Sequence, residues 1–313
     1  RKQELTRIAA ICDGLTEKPP RDFWEALQFV WFLFVLLQIE SNASSFSPGR
    51  FDQYMLPFLE RDLASGALTQ PEAQVLLEHL WLKFNEIVLL RSSHSARYFA
   101  GFPIGFNIVL GGQLPADGDG DARIRQGPRD ATNMLSYMCL QAQADLGLPQ
   151  PNLSIRIHKH SPQEFLRAAA AVISQGSGMP QVFNDEVIIP GQLNRGIAPD
   201  DALNYAVVGC VELSTPGKAL GWSDSAMFNM VRVLEITLFG GRSPLGRPIG
   251  LDTPALHEMR SFEELEAAYD KQLSHFIALM VRGCNIVTRF TPRCCPPPFS
   301  HWSSTTASNE VRT

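Results

Sequence analysis

Tyr205-Ala206-Val207-Val208-Gly209-Cys210-Val211-Glu212 is the stretch around which the rest of the chain is organised. Its apolar, β-branched run predicts a buried strand. Side chains along a strand alternate between faces, so residues i and i+2 share one. Cys210 and Glu212 are therefore expected side by side, facing one cavity. A carboxylate buried beside a thiol is costly unless it is paired or used, which points to chemistry. From the residues alone, a plain core cysteine stays open as the other reading. A thiolate nucleophile needs a histidine or a helix N-terminus beside it. The flanking histidines, His160 and His257, lie far along the chain. No cysteine or histidine stands at ligand spacing from Cys210, so no metal site is expected.

Working outward, helix and strand patterns alternate. Arg21 to Glu40 reads as a helix started by Pro19-Pro20, apolar nearly all round and so central in a core. Ser41 to Tyr54 reads as a loop dense in hydrogen-bonding side chains. Thr69-Gln70-Pro71-Glu72 is a capping box opening a helix to about Leu90. Phe102 to Leu110 predicts a buried strand ending at Gly111-Gly112. A helix follows from about Asp130 to Leu146, then a strand from Leu153 to His158. Ser161-Pro162-Gln163-Glu164 is a second capping box, for a helix ending near Gly176-Ser177-Gly178. Pro180 to Ile189 reads as a polar loop carrying Gln181, Asn184, Asp185 and Glu186. Beyond the central stretch, Asp224 caps a helix through Leu238, closed by Gly240-Gly241, and Ser261 caps a long last helix. Asp117 to Asp121 fails as a calcium loop, because Ala122 stands where the turn glycine belongs and Pro128 where the bidentate glutamate belongs. Alternating strands and helices predict an α/β fold with buried strands and outer helices, closing as a barrel. One domain is expected, to about Phe299.

The 313 residues are 45% hydrophobic and 19% charged, an ordinary globular composition. A net charge of −5 offers no basic surface for nucleic acid or an anionic membrane. The longest strictly apolar run, Phe29 to Leu37, is too short to span a bilayer. Cys12, Cys139, Cys210, Cys284, Cys294 and Cys295 form no CxxC pair, and no leader pattern opens the chain, so a cytoplasmic location is expected. The chain begins in helical sequence without methionine and ends in a polar stretch, Ser300 to Asn309. It therefore reads as an internal piece of something longer.

Several stretches together carry a family resemblance. Gly209-Cys210-Val211-Glu212 resembles the active-site motif of the glycyl radical enzymes, the pyruvate formate-lyase-like family. Glu40-Ser41-Asn42 with Ser47-Pro48-Gly49-Arg50-Phe51-Asp52-Gln53-Tyr54 is similar to a second segment of that family. Pro151 to Arg156, Met179-Pro180 with Phe183 to Glu186, and Leu193 to Gly196 match further ones. The resemblance covers residues 1 to 299. It implies an internal fragment of a ten-stranded α/β barrel with outer helices, in which a cysteine loop and a glycine-radical loop meet. It also implies a thiyl radical on Cys210, and an acid/base role for Glu212 as in the eliminase members. Gln181 and Trp222 are candidate cavity-lining, substrate-binding residues. The family's radical sits on a glycine that this chain does not contain and is installed by a radical SAM activating enzyme, with no permanently bound cofactor or metal. The resemblance further implies a small-molecule substrate and a homodimer at full length, with no nucleic-acid or membrane partner.

Pyruvate formate-lyase carries two adjacent cysteines at this point. Val211 after Cys210 therefore argues against formate acetyltransferase activity. Cys294-Cys295 are adjacent but sit beside Pro296-Pro297-Pro298 and read as structural. The turn from Leu213 to Asp224 most resembles the isethionate sulfite-lyase branch, which cleaves a C–S bond to release sulfite and an aldehyde. Dehydratase, choline trimethylamine-lyase and arylacetate decarboxylase chemistry are the alternatives, and an inactive remnant is another. The C-terminal glycine-radical domain is absent, so the chain by itself is expected to be inactive. Residues 300–313 are expected to be a non-native tail. Codons permitted for His301 to Thr313, read one frame over, spell Leu-Val-Val-Asp-Asn-Cys-Ile-Glu-Arg-Gly-Ala-Asp, which resembles the family, so a frameshift is the expected origin.

Overall fold

The computed structural model describes residues 1–41, 45–87, 105–114, 129–219 and 226–294. The chain divides into two compact units, Arg1–Gly221 and Trp222–Thr313. In the first unit, four helices precede the first strand: α1 (Lys2–Leu15), α2 (Phe23–Ser41), α3 (Phe51–Ser65) and α4 (Gln70–Phe84). Strand β1 (Asn107–Gly111) is followed by a short antiparallel pair, β2 (Gln113–Leu114) and β3 (Arg129–Asp130), and by α5 (Met134–Leu146). Next come β4 (Asn152–Ile157), α6 (Gln163–Ile173), β5 (Gln181–Asn184), α7 (Asp185–Asn194) and α8 (Pro199–Leu203). A hairpin of β6 (Ala206–Val208) and β7 (Glu212–Ser214) ends the unit.

Strands β1, β4 and β5 form a parallel sheet in that order, and Gly49 adds a parallel bridge to Ile108 on its free side. The two faces differ in chemistry because side chains alternate. Ile108, Leu110, Leu153 and Ile155 join Phe34, Phe51, Leu77, Trp81, Leu135 and Phe165 in the main core under the helices. The opposite face carries Asn107, Val109, Gly111, Asn152, Ser154, Arg156, Gln181 and Phe183. There Val109 and Phe183 pack against Ala206, Val207 and Leu213 of the hairpin. The α/β architecture follows the sequence reading, with helices outside and strands between them and the hairpin.

Several boundaries differ. The loop after α2 ends at Arg50, and Phe51 to Tyr54 form the first turn of α3, where Phe51 and Asp52 are buried. Helix α2 starts with Asp22 accepting from the Glu25 amide at 2.8 Å, and one side of it is open, with Leu36 and Ile39 exposed. The Thr69 capping box forms as expected, but α4 ends at Phe84. Ser161 does not cap α6; its hydroxyl accepts instead from the His158 amide at 2.9 Å. Pro180 to Ile189 is a strand followed by a helix, because Gln181 to Asn184 pair with Ser154 to Ile157 and Asn184 then caps α7 by accepting from the Glu186 amide.

In the second unit, α9 (Met230–Leu238) is capped by Asn229, and α10 (Phe262–Cys294) packs along it. Buried Gln272 stitches the intervening loop to α10: its carboxamide donates to Leu251 O at 2.6 Å and accepts from Leu251 N at 3.0 Å. Asp224, Trp222, Asp117 to Asp121, Cys295 and residues 300–313 lie outside the described residues.

Candidate active site

Gly209 decides the local geometry. Its φ is +61°, in the left-handed region, and the chain reverses there. A Cβ at this position would lie 2.9 Å from Ser45 Oγ and 3.4 Å from Glu212 Oε2, so a glycine is required for space as well as conformation. Cys210 consequently stands, exposed, at the apex between β6 and β7. The expected continuous strand from Tyr205 to Glu212 is thus broken into a hairpin in which Glu212 pairs across with Val208. Cys210 and Glu212 are not same-face neighbours of one strand. Glu212 instead returns toward Gly209 on the second strand. Gly105 comes close to the thiol, a Cβ there falling 3.8 Å from Cys210 Sγ.

The hairpin lies along the polar face of the sheet and is held at both ends by β4. At its base, Arg156 donates to Tyr205 O at 2.9 Å and Leu203 O at 3.0 Å. At its tip, Asn152 Nδ2 donates to Gly209 O at 3.4 Å. Ser47, just before the bridge to β1, accepts from Gly209 N at 3.0 Å and from Asn107 N at 2.9 Å, and donates to Ser45 O at 3.0 Å. The Asn107 carboxamide is fully buried beside this junction and has no hydrogen-bond partner among the described residues.

A charged layer lies beneath. Arg156 forks onto Asp185 at 2.9 and 2.8 Å with both side chains wholly buried, and Tyr205 donates to Asp185 at 2.6 Å. The guanidinium also stacks 3.8 Å from the Tyr205 ring. Gly112 makes room for it, since a Cβ there would fall 2.5 Å from Arg156 Nε. Arg50 donates to Gly111 O, Gln113 O and Asn204 Oδ1. Burial, and then the nearby Arg156 charge, pull its pKa down to about 10. Asp52 accepts from Gly111 N at 2.7 Å and Ser136 Oγ at 2.5 Å, and burial pushes its pKa up. Arg50 and Asp52 are each bonded to Gly111, one to its carbonyl and the other to its amide. Burial also pushes up the Tyr205 hydroxyl.

Of the residues singled out in the sequence, Cys210 and Glu212 sit on the two sides of one turn. Gln181 lies half-buried on the polar face of the sheet, accepting from Ser154 Oγ at 3.3 Å. Trp222 lies outside the described residues. Ser47, Asn107 and Asn152 carry no individual signal in the sequence. Ser47 and Asn152 fall within segments that resemble the family, and the density of hydrogen-bonding groups between two apolar helices was a further hint for Ser47. Among the described residues, no group of three or more His, Cys, Asp or Glu side chains could hold a metal ion. The arrangement presents one thiol at a restrained apex, with a carboxylate on the returning strand.

The pyruvate formate lyase-like family model matches residues 1–307. The chain is 37% identical over 282 residues to the probable dehydratase YbiW of Escherichia coli (strain K12), covering 88% of this chain and 34% of that protein. It is 36% identical over 281 residues to an isethionate sulfite-lyase of Oleidesulfovibrio alaskensis, with 88% and 33% covered. A solved structure concerned with 1,2-propanediol dehydration in Roseburia inulinivorans superposes with a TM-score of 0.82 at 42% identity, covering 96% of this chain and 36% of that one. The chain spans about a third of the length of the curated relatives it matches. A match along almost the whole chain, with the hairpin-bearing parallel sheet as an internal portion of the family's α/β barrel, means that the chain belongs to the pyruvate formate lyase-like family, the glycyl radical enzymes.

Proposed function

We propose that the full-length protein is a glycyl radical lyase that removes a leaving group from a small hydroxyalkyl substrate, with loss of water as the leading reaction. The observation that carries this is Cys210 at a restrained hairpin apex with Glu212 on the returning strand. The fit to a radical carrier rests on the same feature, because the apex thiol is exposed and can be approached by a group from outside this segment. The glycine radical, borne elsewhere in the full protein and installed by an activating enzyme of the radical SAM class, supplies the unpaired electron. Cys210, lacking one hydrogen atom, then takes one from the carbinol carbon of the substrate. Glu212 accepts the hydroxyl proton and passes it to the leaving group, which departs from the neighbouring carbon with the bonding pair. Cys210 returns a hydrogen atom to the resulting carbonyl radical, leaving an aldehyde and the thiyl radical restored. A cytoplasmic homodimer is the assembly that the family resemblance favours.

Loss of hydroxide, as water, is favoured by the 42% identity to the structure concerned with 1,2-propanediol dehydration. Cleavage of isethionate to sulfite and acetaldehyde is the second reading, supported by the 36% identity to an isethionate sulfite-lyase and by the turn after Leu213. The test is anaerobic activation of the full-length protein, then incubation with glycerol, 1,2-propanediol or isethionate. Aldehyde without sulfite from a diol supports the first reading, and sulfite from isethionate supports the second. Turnover that survives in both Cys210→Ser and Glu212→Gln overturns the assignment of these residues.

A further inference from the structure

We propose that Ser47 and Asn152 are positioning residues that fix the place of the Cys210 sulfur by clamping the two peptide groups on either side of Gly209. The proposal rests on the reading of Cys210 as the hydrogen-atom carrier. The Val208–Gly209 peptide is held through its N–H, which donates to Ser47 Oγ at 3.0 Å. The Gly209–Cys210 peptide is held through its carbonyl, which accepts from Asn152 Nδ2 at 3.4 Å. The Ser47 hydroxyl has no capacity to spare: it accepts from Asn107 N at 2.9 Å and donates to Ser45 O at 3.0 Å. It therefore joins three segments remote in sequence, namely the loop before α3, the start of β1, and the hairpin tip.

Such a clamp is needed because the apex contains a glycine. With no Cβ, Gly209 has the widest backbone range of any residue, and rotation there swings Cys210 about the end of β6. The ladder from Ala206–Ser214 to Val208–Glu212 stops just short of the turn and leaves the apex itself unpaired. β4 acts as a ruler for what remains. Arg156 and Asn152 are as far apart along β4 as Tyr205 and Gly209 are along the hairpin, and each holds its counterpart. Arg156 anchors the base and Asn152 the tip. Hydrogen-atom transfer depends steeply on approach, so a sulfur displaced by about 1 Å loses on the order of 100-fold in rate. Neither Ser47 nor Asn152 needs to touch the substrate for this.

The experiment uses the full-length protein with Ser47→Ala, Ser47→Thr, Asn152→Asp and Cys210→Ser. Asn152→Asp keeps the shape and removes the donor. Three measurements are made: electron paramagnetic resonance of the activated protein, kcat and KM on whichever of glycerol, 1,2-propanediol and isethionate the parent turns over, and amide hydrogen exchange of the non-activated protein around Gly209. In heavy water the thiol hydrogen becomes deuterium, and back-transfer from Cys210 carries it to the radical-bearing carbon, collapsing the hydrogen splitting of the signal. Ser47→Ala and Asn152→Asp are expected to keep the radical yield and to hold KM within about twofold. Both should lower kcat and deuterium transfer together by on the order of 100-fold, and both should speed amide exchange at Gly209. Ser47→Thr, which keeps the hydroxyl, should restore all three. Parental kcat, deuterium transfer and amide exchange in both Ser47→Ala and Asn152→Asp, with Cys210→Ser inactive, overturn the clamp alone. Turnover in Cys210→Ser overturns the underlying reading of Cys210.

Discussion

Asp52 sits at the start of α3 with no access to solvent, bonded to one amide and one hydroxyl. Burial holds its pKa above the ordinary carboxylate value. The folded state then binds the proton more tightly than the unfolded chain does. This contribution to stability is complete below the unfolded pKa of about 3.9 and is lost as pH rises through the higher folded value. Asp52→Asn removes the ionisation and keeps an oxygen acceptor. Its thermal midpoint relative to the parent is expected to rise as pH is raised above about 4. Midpoints followed by circular dichroism that stay parallel across this range would contradict the assignment. At this scale the sequence pointed to the candidate thiol and carboxylate more clearly than to the groups that hold their turn. A thiol and a carboxylate two residues apart stand out in any apolar run. Ser47 and Asn152 take their meaning from an approach of distant segments that no local pattern encodes.

Elements were legible where their signals are local. The Thr69 box opens α4 with both of its partners inside one turn, and Leu153 to His158 matches β4 within a residue. β5 was hidden because its polar residues, Gln181 and Asn184, have tasks that sequence cannot display: one faces the polar side of the sheet and the other caps α7. The hairpin was hidden for a similar reason. Cys210 and Val211 carry the apolar run on through the turn, and the break rests on one left-handed glycine. Gly209→Ala is expected to cost about 1–3 kcal/mol through backbone strain and to abolish most turnover by pushing Ser45 and Glu212 aside. Thr69→Ala is expected to cost about 1 kcal/mol and to leave turnover intact, because α4 lies under the opposite face of the sheet. Chemical denaturation and steady-state assays separate the two. Equal losses of turnover in both variants would count against the hairpin argument.

At the scale of the molecule, helices outside and strands inside followed from alternation. The polar character of the inner sheet face did not, because a buried arginine is legible only once its partners are placed. Arg156 joins β4, α7 and the entry to the hairpin through Asp185, Tyr205 and two carbonyls. Removing one partner strands a buried charge, so Arg156→Met should cost about 3–5 kcal/mol. Arg156→Met combined with Asp185→Leu removes both charges and should cost less than Arg156→Met alone. Unfolding midpoints of the two variants and the parent decide this, and a double variant weaker than the single one would refute it.

The two-faced sheet also fixes what length changes the chain can bear. Along β4, even-numbered positions supply Asn152, Ser154 and Arg156 to the hairpin side, and odd-numbered ones supply Leu153 and Ile155 to the helices. Deleting one residue ahead of Asn152 while keeping the backbone in register exchanges the two sets at a stroke. A guanidinium would then face the aromatic core and leucine would face the charged layer. Substitutions at single sites can be absorbed locally, whereas parity in β4 is a property the segment keeps or loses as a whole.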